Sequence, residues 1–131
     1  MNDTLSLVGS YRRQKKYYNR CQQCLRNFLQ ERELTLLEAD ILFSLYNDAG
    51  CNTVTAICND IDKTKGVVSR SCEHLCHLGL IDATTDAVDR RIIHFRLLPP
   101  SGQVIEDALK YLAEIFVPKQ DVEAAAVLKA Y

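Results

Sequence analysis

Asp62-Lys63-Thr64-Lys65-Gly66-Val67-Val68-Ser69-Arg70-Ser71-Cys72-Glu73-His74-Leu75-Cys76-His77-Leu78-Gly79 is the stretch whose reading decides the fold. At about 100° per residue, Val68, Cys72 and Leu75 fall together on one side and make a core face. Gly66, Ser69, Arg70, Glu73, His74 and His77 project the other way. Thr64 stands where a helix N-cap is expected, and Gly79 stands where the chain needs a left-handed residue just past the helix end. The first turn then carries Lys63, Lys65 and free amide donors, a combination that suits a phosphate backbone because the helix dipole attracts anions. Ser69 and Arg70 are placed to reach base edges in a major groove. An amphipathic surface helix with solvated charges has the same periodicity, so the neighbouring segments must decide.

Upstream, Leu34-Thr35-Leu36-Leu37-Glu38-Ala39 reads as a capping box, with Thr35 as the cap, Glu38 reaching back from three positions on, and Leu34 stapling against Ala39. The helix it opens carries Leu37, Ile41, Leu42, Leu45 and Tyr46 inward and stops at Ala49-Gly50. Thr53 precedes a short helix from about Val54 to Ile61 with Val54, Ile57, Cys58 and Ile61 as its apolar set. Two short helices joined by a tight turn, the second with a polar outer face, make a helix-turn-helix. Downstream, Leu80 to Thr84 and Ile92 to Leu97 are runs of branched residues around Thr85-Asp86-Ala87-Val88-Asp89-Arg90-Arg91, the pattern of a hairpin with a long polar tip. That hairpin is a wing.

The ends of the chain read as helices. Leu5 to Gln30 has no proline, and Val8, Tyr11, Tyr18, Cys21, Leu25 and Phe28 recur at spacings of three, four and seven. A long helix with one apolar stripe outside the compact middle of the chain is expected to pack on another subunit or on a distant helix. From Pro100 to Phe116 the apolar residues Val104, Ile105, Ala108, Leu109, Leu112, Ile115 and Phe116 again have helical spacing, Pro118 breaks the pattern, and a last helix is expected from Asp121 to about Lys129.

Composition sets the outer bounds. A chain of 131 residues, 47% hydrophobic and 25% charged, is a globular protein of single-domain length. It lacks an apolar run of the roughly 20 residues that span a bilayer and a leader with a cleavage site, so a cytoplasmic protein with no membrane partner is expected. The net charge of −1 conceals a strong segregation. Residues 1–30 carry six basic groups against one acid, residues 31–62 one against seven, and residues 63–96 six against four. In the last segment the basic groups gather at two places, the helix start and the hairpin tip.

The order and spacing of these stretches resemble the MarR family of winged-helix transcriptional regulators over nearly the whole chain. The resemblance is carried by Leu34-Thr35, by Asp62-Lys63-Thr64 with Val68-Ser69-Arg70, and by Leu75 followed by Leu78-Gly79-Leu80-Ile81. Asp86-Ala87-Val88-Asp89-Arg90-Arg91, a strand, and Leu98-Pro99-Pro100-Ser101-Gly102 continue it in the manner of the family's acid-x-x-Asp-Arg-Arg wing and Leu-Thr-x-x-Gly motif. Pro99 departs from the threonine usual there, so the cap of the following helix must come from elsewhere or from a proline-started turn. The resemblance implies a mainly α fold with a small β wing: one MarR-like domain over 1–131, with 34–98 as the winged-helix DNA-binding lobe and 1–33 and 99–131 as dimerisation helices. It implies a homodimer on double-stranded DNA, a repressor on a pseudo-palindromic operator, released by a small-molecule effector or another signal. Thr64, Lys65, Gly66, Ser69 and Arg70 would enter the major groove. Arg91 would enter the adjacent minor groove, paired with Asp89, and Arg90 would contact phosphate or serve as a second finger. Tyr11, Tyr17, Tyr18 and Phe43 are candidates for lining an effector cleft.

Other function classes remain to be weighed. A winged-helix module that docks another protein has no need of basic groups on both helix and wing. An enzyme is not supported, since no histidine and acid pair, nucleophile motif or glycine-rich phosphate loop stands out in the sequence, and no cofactor is expected. The six cysteines have three readings. As small hydrophobes they fill core and interface space, and as thiolates Cys21 with Cys24, or Cys72 with Cys76, would bind a metal, but these lone pairs lack a matching second pair. In the redox reading Arg20 and Arg26 lower the pKa of Cys21 or Cys24, and oxidation distorts the first helix.

Overall fold

A computed structural model of the chain describes residues 2–116, with side chains from 4 to 114. The break at Pro118 and the expected helix over 121–129 lie outside the described residues. In order, the elements are α1 (Asn2–Gln30), α2 (Leu36–Asn47), α3 (Val54–Ile61), α4 (Lys65–His77), β1 (Ile81–Thr85), β2 (Ile93–Leu97) and α5 (Pro99–Phe116). This is the expected fold class, helices with one two-stranded wing. The chain divides into two compact units, Glu33–Asp107 and a second formed by Met1–Arg32 with Ala108–Tyr131; α5 contributes to both.

The Glu33–Asp107 unit is built from helices α2, α3 and α4, each packed on the other two, with the hairpin laid against α2 and α4. Its core is Ile41, Leu42 and Leu45 from α2, Ile57 and Cys58 from α3, Val68, Cys72 and Leu75 from α4, Leu80, Ile81 and Phe95 from the hairpin, and Ile105 from α5. The expected core face of α4 is thus buried as read. On α2 the expectation fails at Tyr46, which is exposed in the last turn of the helix. Leu37 is half-buried.

Local chemistry sets each boundary. The Thr35 hydroxyl accepts from the Glu38 N–H (3.1 Å) and Glu38 Oε1 accepts from the Thr35 N–H (2.9 Å), the expected capping box. Thr53 caps α3 through the Ala56 N–H (3.2 Å), and Asp62, with φ 57°, turns the chain out of α3 in the left-handed region. At the far end of α4, the Leu80 N–H donates to Leu75 O (3.1 Å) and the Gly79 N–H to Cys76 O (3.0 Å), with Gly79 at φ 75°. This paired closure is a Schellman motif, and it needs a residue without Cβ strain at position 79.

The strands begin and end one residue later than the sequence suggested, except at Leu97. Leu80 is occupied by the helix closure and by the Leu98 N–H bonding to its carbonyl (2.9 Å), while the Ile92 N–H closes the tip on Asp89 O (3.0 Å). The register is antiparallel, Ile81 opposite Leu97 through Thr85 opposite Ile93. α5 starts on Pro99 and Pro100, which lack amides at positions where a helix leaves amides unpaired, and Ser101 bonds back to Leu98 O through its N–H (3.0 Å) and hydroxyl (2.6 Å). That is the proline-started alternative.

In the other unit, Cys21, Leu25 and Leu29 of α1 are buried and Phe28 stacks on Tyr111 of α5 at 4.9 Å between ring centroids. The Arg32 guanidinium covers the same Phe28 ring at 3.8 Å and donates to Phe28 O. The stretch of α1 before Cys21 differs: Leu5, at 73% exposure, Leu7, Val8, Tyr11 and Tyr18 all stand open. No helix among the described residues is long and apolar enough to cross a membrane.

Candidate nucleic-acid interface

The five residues read from the sequence as groove contacts, Thr64, Lys65, Gly66, Ser69 and Arg70, are all exposed, with Gly66, Ser69 and Arg70 turned away from Val68, Cys72 and Leu75 and Thr64 and Lys65 at the helix start. Thr64 occupies the N-cap position but its hydroxyl makes no capping bond, contrary to expectation. The first turn of α4 therefore has no side chain across its amides, which is how a helix start must look if it is to receive an anion. A Cβ at Gly66 would meet nothing within 4 Å, so no neighbour inside the chain requires glycine there. Arg70 lies along its own helix, its Nε donating to Gly66 O at 3.3 Å.

The wing is held from inside. Asp86 Oδ2 accepts from the N–H groups of Val88 (3.0 Å) and Asp89 (2.8 Å), which folds the tip into a turn around one carboxylate. Asp86 Oδ1 accepts from His94 Nε2 (2.8 Å) on β2, and His94 Nδ1 bonds to the side-chain Oδ1 of Asn52 (2.9 Å), while the backbone carbonyl of Asn52 accepts from the Phe95 N–H (2.8 Å). These bonds, first the Asp89 amide, then His94 and the Val88 amide, hold the Asp86 carboxyl well below its usual range, at about 2. The tip is thereby tied through β2 to the loop before α3.

On that tip Asp89 grips Arg91. Oδ1 accepts from the Arg91 N–H (3.0 Å) and Nε (3.1 Å), and Oδ2 from Nη2 (3.0 Å). The fork lowers the Asp89 pKa and raises that of Arg91. The expected support of Arg91 by Asp89 is present, and the arginine side chain is still 90% exposed. Arg90 is exposed beside it. Arg91 also lines a cleft of about 290 Å³ with Thr53, Thr55, Ser69, Ile92 and Ile93, so a residue of the α4 face and a residue of the wing meet at one concavity.

Two features escaped the sequence reading. His74, on α4, bonds through Nδ1 to Oε2 of Glu38, a carboxylate only 3% exposed, so the capping residue of α2 also ties α2 to α4. The other is the His94 relay. Both link residues 36 or more apart in sequence, beyond the reach of periodicity.

The cysteines divide by depth. Burial pushes the Cys72 thiol up to about 12, with Cys76 and Cys58 adding to it. Cys21, 1% exposed, is also raised: burial outweighs the Tyr17 hydrogen bond and the Arg20 charge. The expected lowering at Cys21 is therefore corrected, because a thiolate there loses hydration that Arg20 does not replace. Cys24 is half-buried on the same intact helix. Among the described residues, no group of three or more His, Cys, Asp or Glu is placed to hold a metal ion. Of the aromatic residues considered for an effector cleft, Phe43 lines a surface cavity of about 400 Å³ with Asp40, Ser44, Asn47, Asp60 and Ile61. Tyr11 and Tyr18 are exposed and Tyr17 is half-buried on α1.

Comparison with known proteins gives a consistent picture. Residues 33–92 match a family model described as the MarR family. No curated protein matches the chain. Among solved structures, the YusO protein from Bacillus subtilis superposes with a TM-score of 0.70 at 20% identity, covering 99% of this chain and 95% of that one. The DNA complex of S. aureus MepR gives 0.69 at 21% identity, with coverage of 92% and 90%. Bordetella bronchiseptica BpsR, whose DNA binding is described as regulated by 6-hydroxynicotinic acid, gives 0.69 at 19% identity, with coverage of 95% and 97%.

Proposed function

We propose, on the premise that this chain belongs through residues 33–92 to the MarR family, that it is a sequence-specific DNA-binding transcriptional regulator, a repressor acting as a homodimer on a pseudo-palindromic operator. Residues 34–98 form the DNA-binding lobe, and 1–33 and 99–131 supply the dimer contacts. Thr64, Lys65, Gly66, Ser69 and Arg70 enter the major groove, Arg91 enters the adjacent minor groove, and Arg90 takes a phosphate. A small-molecule effector releases the complex. The similar structures of a DNA-bound protein and of one regulated by a small molecule support this reading.

The observation that carries it is the pre-set wing. The hairpin tip is fixed by Asp86, and Asp89 orients an Arg91 that is 90% exposed and shares a cleft with Ser69 of α4, so a pre-ordered cation stands on the same concavity as the outward face of α4. Pre-ordering the arginine lowers the entropy lost on binding. The exposed Leu5, Leu7, Val8, Tyr11 and Tyr18 on α1 support the dimer, since an apolar run of that extent is normally covered. The test is affinity of the full chain for a duplex containing its operator. Arg70→Ala and Arg91→Ala should each weaken binding by roughly 1 to 3 kcal/mol and relax preference at one base position. Lys65→Ala should weaken all sequences alike and reduce the salt slope by about 1. Undiminished binding by both arginine variants would overturn the groove assignment.

A further inference from the structure

Gly66 and Val67 are adjacent in the first turn of α4, and both work against the helix that holds them. Glycine loses the most backbone freedom in a helix, and a β-branched residue loses side-chain freedom against the preceding turn. The loss at Gly66 is not recovered inside the chain, and the loss at Val67 is recovered only in part. A Cβ at Gly66 would find only open space, and Val67 is 37% exposed, whereas Val68 next to it is completely buried. A single exposed valine is ordinary on a protein surface. Here it stands one residue from a glycine with no internal reason, in a turn whose other outward residues, Lys63, Thr64, Lys65 and Arg70, are polar. Two neighbouring violations of helix preference, neither fully compensated inside the chain, mark a place where something external makes contact.

The apolar feature that a major groove offers is the C5-methyl of thymine. We propose that Val67 is a specificity-determining residue that packs its methyl groups on a thymine methyl in each half-site, with Gly66 allowing the helix close enough for so short a side chain to touch. The inference rests on the reading of α4 as the groove-entering helix. Lysine, serine and arginine nearby recognise phosphates and polar base edges and do not reward a methyl; Thr64 offers one methyl from the N-cap position, and Val67 is the wholly apolar side chain of that turn.

The test uses duplexes recovered from a random-sequence pool by the full-length wild-type protein, remade with deoxyuridine in place of one thymine at a time. At one thymine per half-site, loss of the methyl should weaken wild-type binding about fourfold, the value of one buried methyl group. Val67→Ala should bind the thymine and uracil duplexes alike at that position and keep wild-type sensitivity elsewhere. Val67→Thr, which retains one methyl, should keep part of the preference. Both variants should unfold thermally no earlier than the wild type by more than a small margin, because the replaced side chain is partly solvated. Thymine sensitivity that persists unchanged in Val67→Ala, or absence of any methyl-sensitive thymine, would overturn the inference and leave the DNA-binding reading intact. Failure of the wild type to recover any preferred sequence would overturn both.

Discussion

Gly66 sits where alanine would fit without touching anything, so its presence must be explained by a demand the isolated chain does not make. If that demand is close approach of DNA, Gly66→Ala should raise stability by up to about 1 kcal/mol, read by denaturant unfolding, while weakening operator binding. A stabilised variant that binds as well as the wild type would reduce Gly66 to a tolerated accident. Thr64 invites a similar view, since it has the chemistry of a cap and does not cap. The helical period puts Gly66 on the outward face, Thr64 reads as the N-cap and joins the groove contacts through the family resemblance, and Val67 is passed over. The helical period already assigns Val68 to the core; what it leaves open is how much of Val67, about 100° round the helix, stays uncovered.

The wing depends on a carboxylate. The Asp86 carboxyl titrates near 2 in the folded hairpin against an ordinary 3.8, so between those values the open tip binds more protons than the closed one and acid favours opening. The amides of Val88 and Asp89 should accordingly stay protected from neutral pH down to about 4 and lose protection as pH falls toward 2, ahead of the β1–β2 amides, in hydrogen-exchange measurements. At neutral pH, Asp86→Ala should remove that protection and weaken DNA binding with little change in unfolding temperature. Protection unaffected by the substitution would contradict the assigned role. Elements with a local cause were legible beforehand: the Thr35 and Glu38 box, the Gly79 closure, the α4 core face and the pairing of Asp89 with Arg91 all lie within a few residues. The tie from His74 to Glu38 and the relay from Asn52 through His94 to Asp86 were not, since they depend on how α2, α4 and the hairpin meet. Cys21 failed for a related reason: the neighbouring Arg20 was visible in sequence, and the burial that outweighs it was not.

At the scale of the molecule, the account needs two copies. α1 exposes Leu5, Leu7, Val8, Tyr11 and Tyr18, and covering them requires a surface of matching chemistry, which a second α1 would provide in the proposed homodimer. Sedimentation at micromolar concentration should give a dimer, and deletion of residues 1–20 should leave an aggregating or unfolded product. A well-folded monomer after that deletion would refute the assembly. Two copies present two α4 helices and two wings, so the DNA they select must have matching symmetry. The most direct measurement is therefore selection of duplexes from a random pool by the full-length protein, followed by determination of the number of chains per bound duplex. The account predicts an inverted repeat with half-sites about 10 base pairs apart, or a multiple of that turn, bound by two chains. Recovery of unrelated sequences with an affinity that follows salt concentration alone would contradict it.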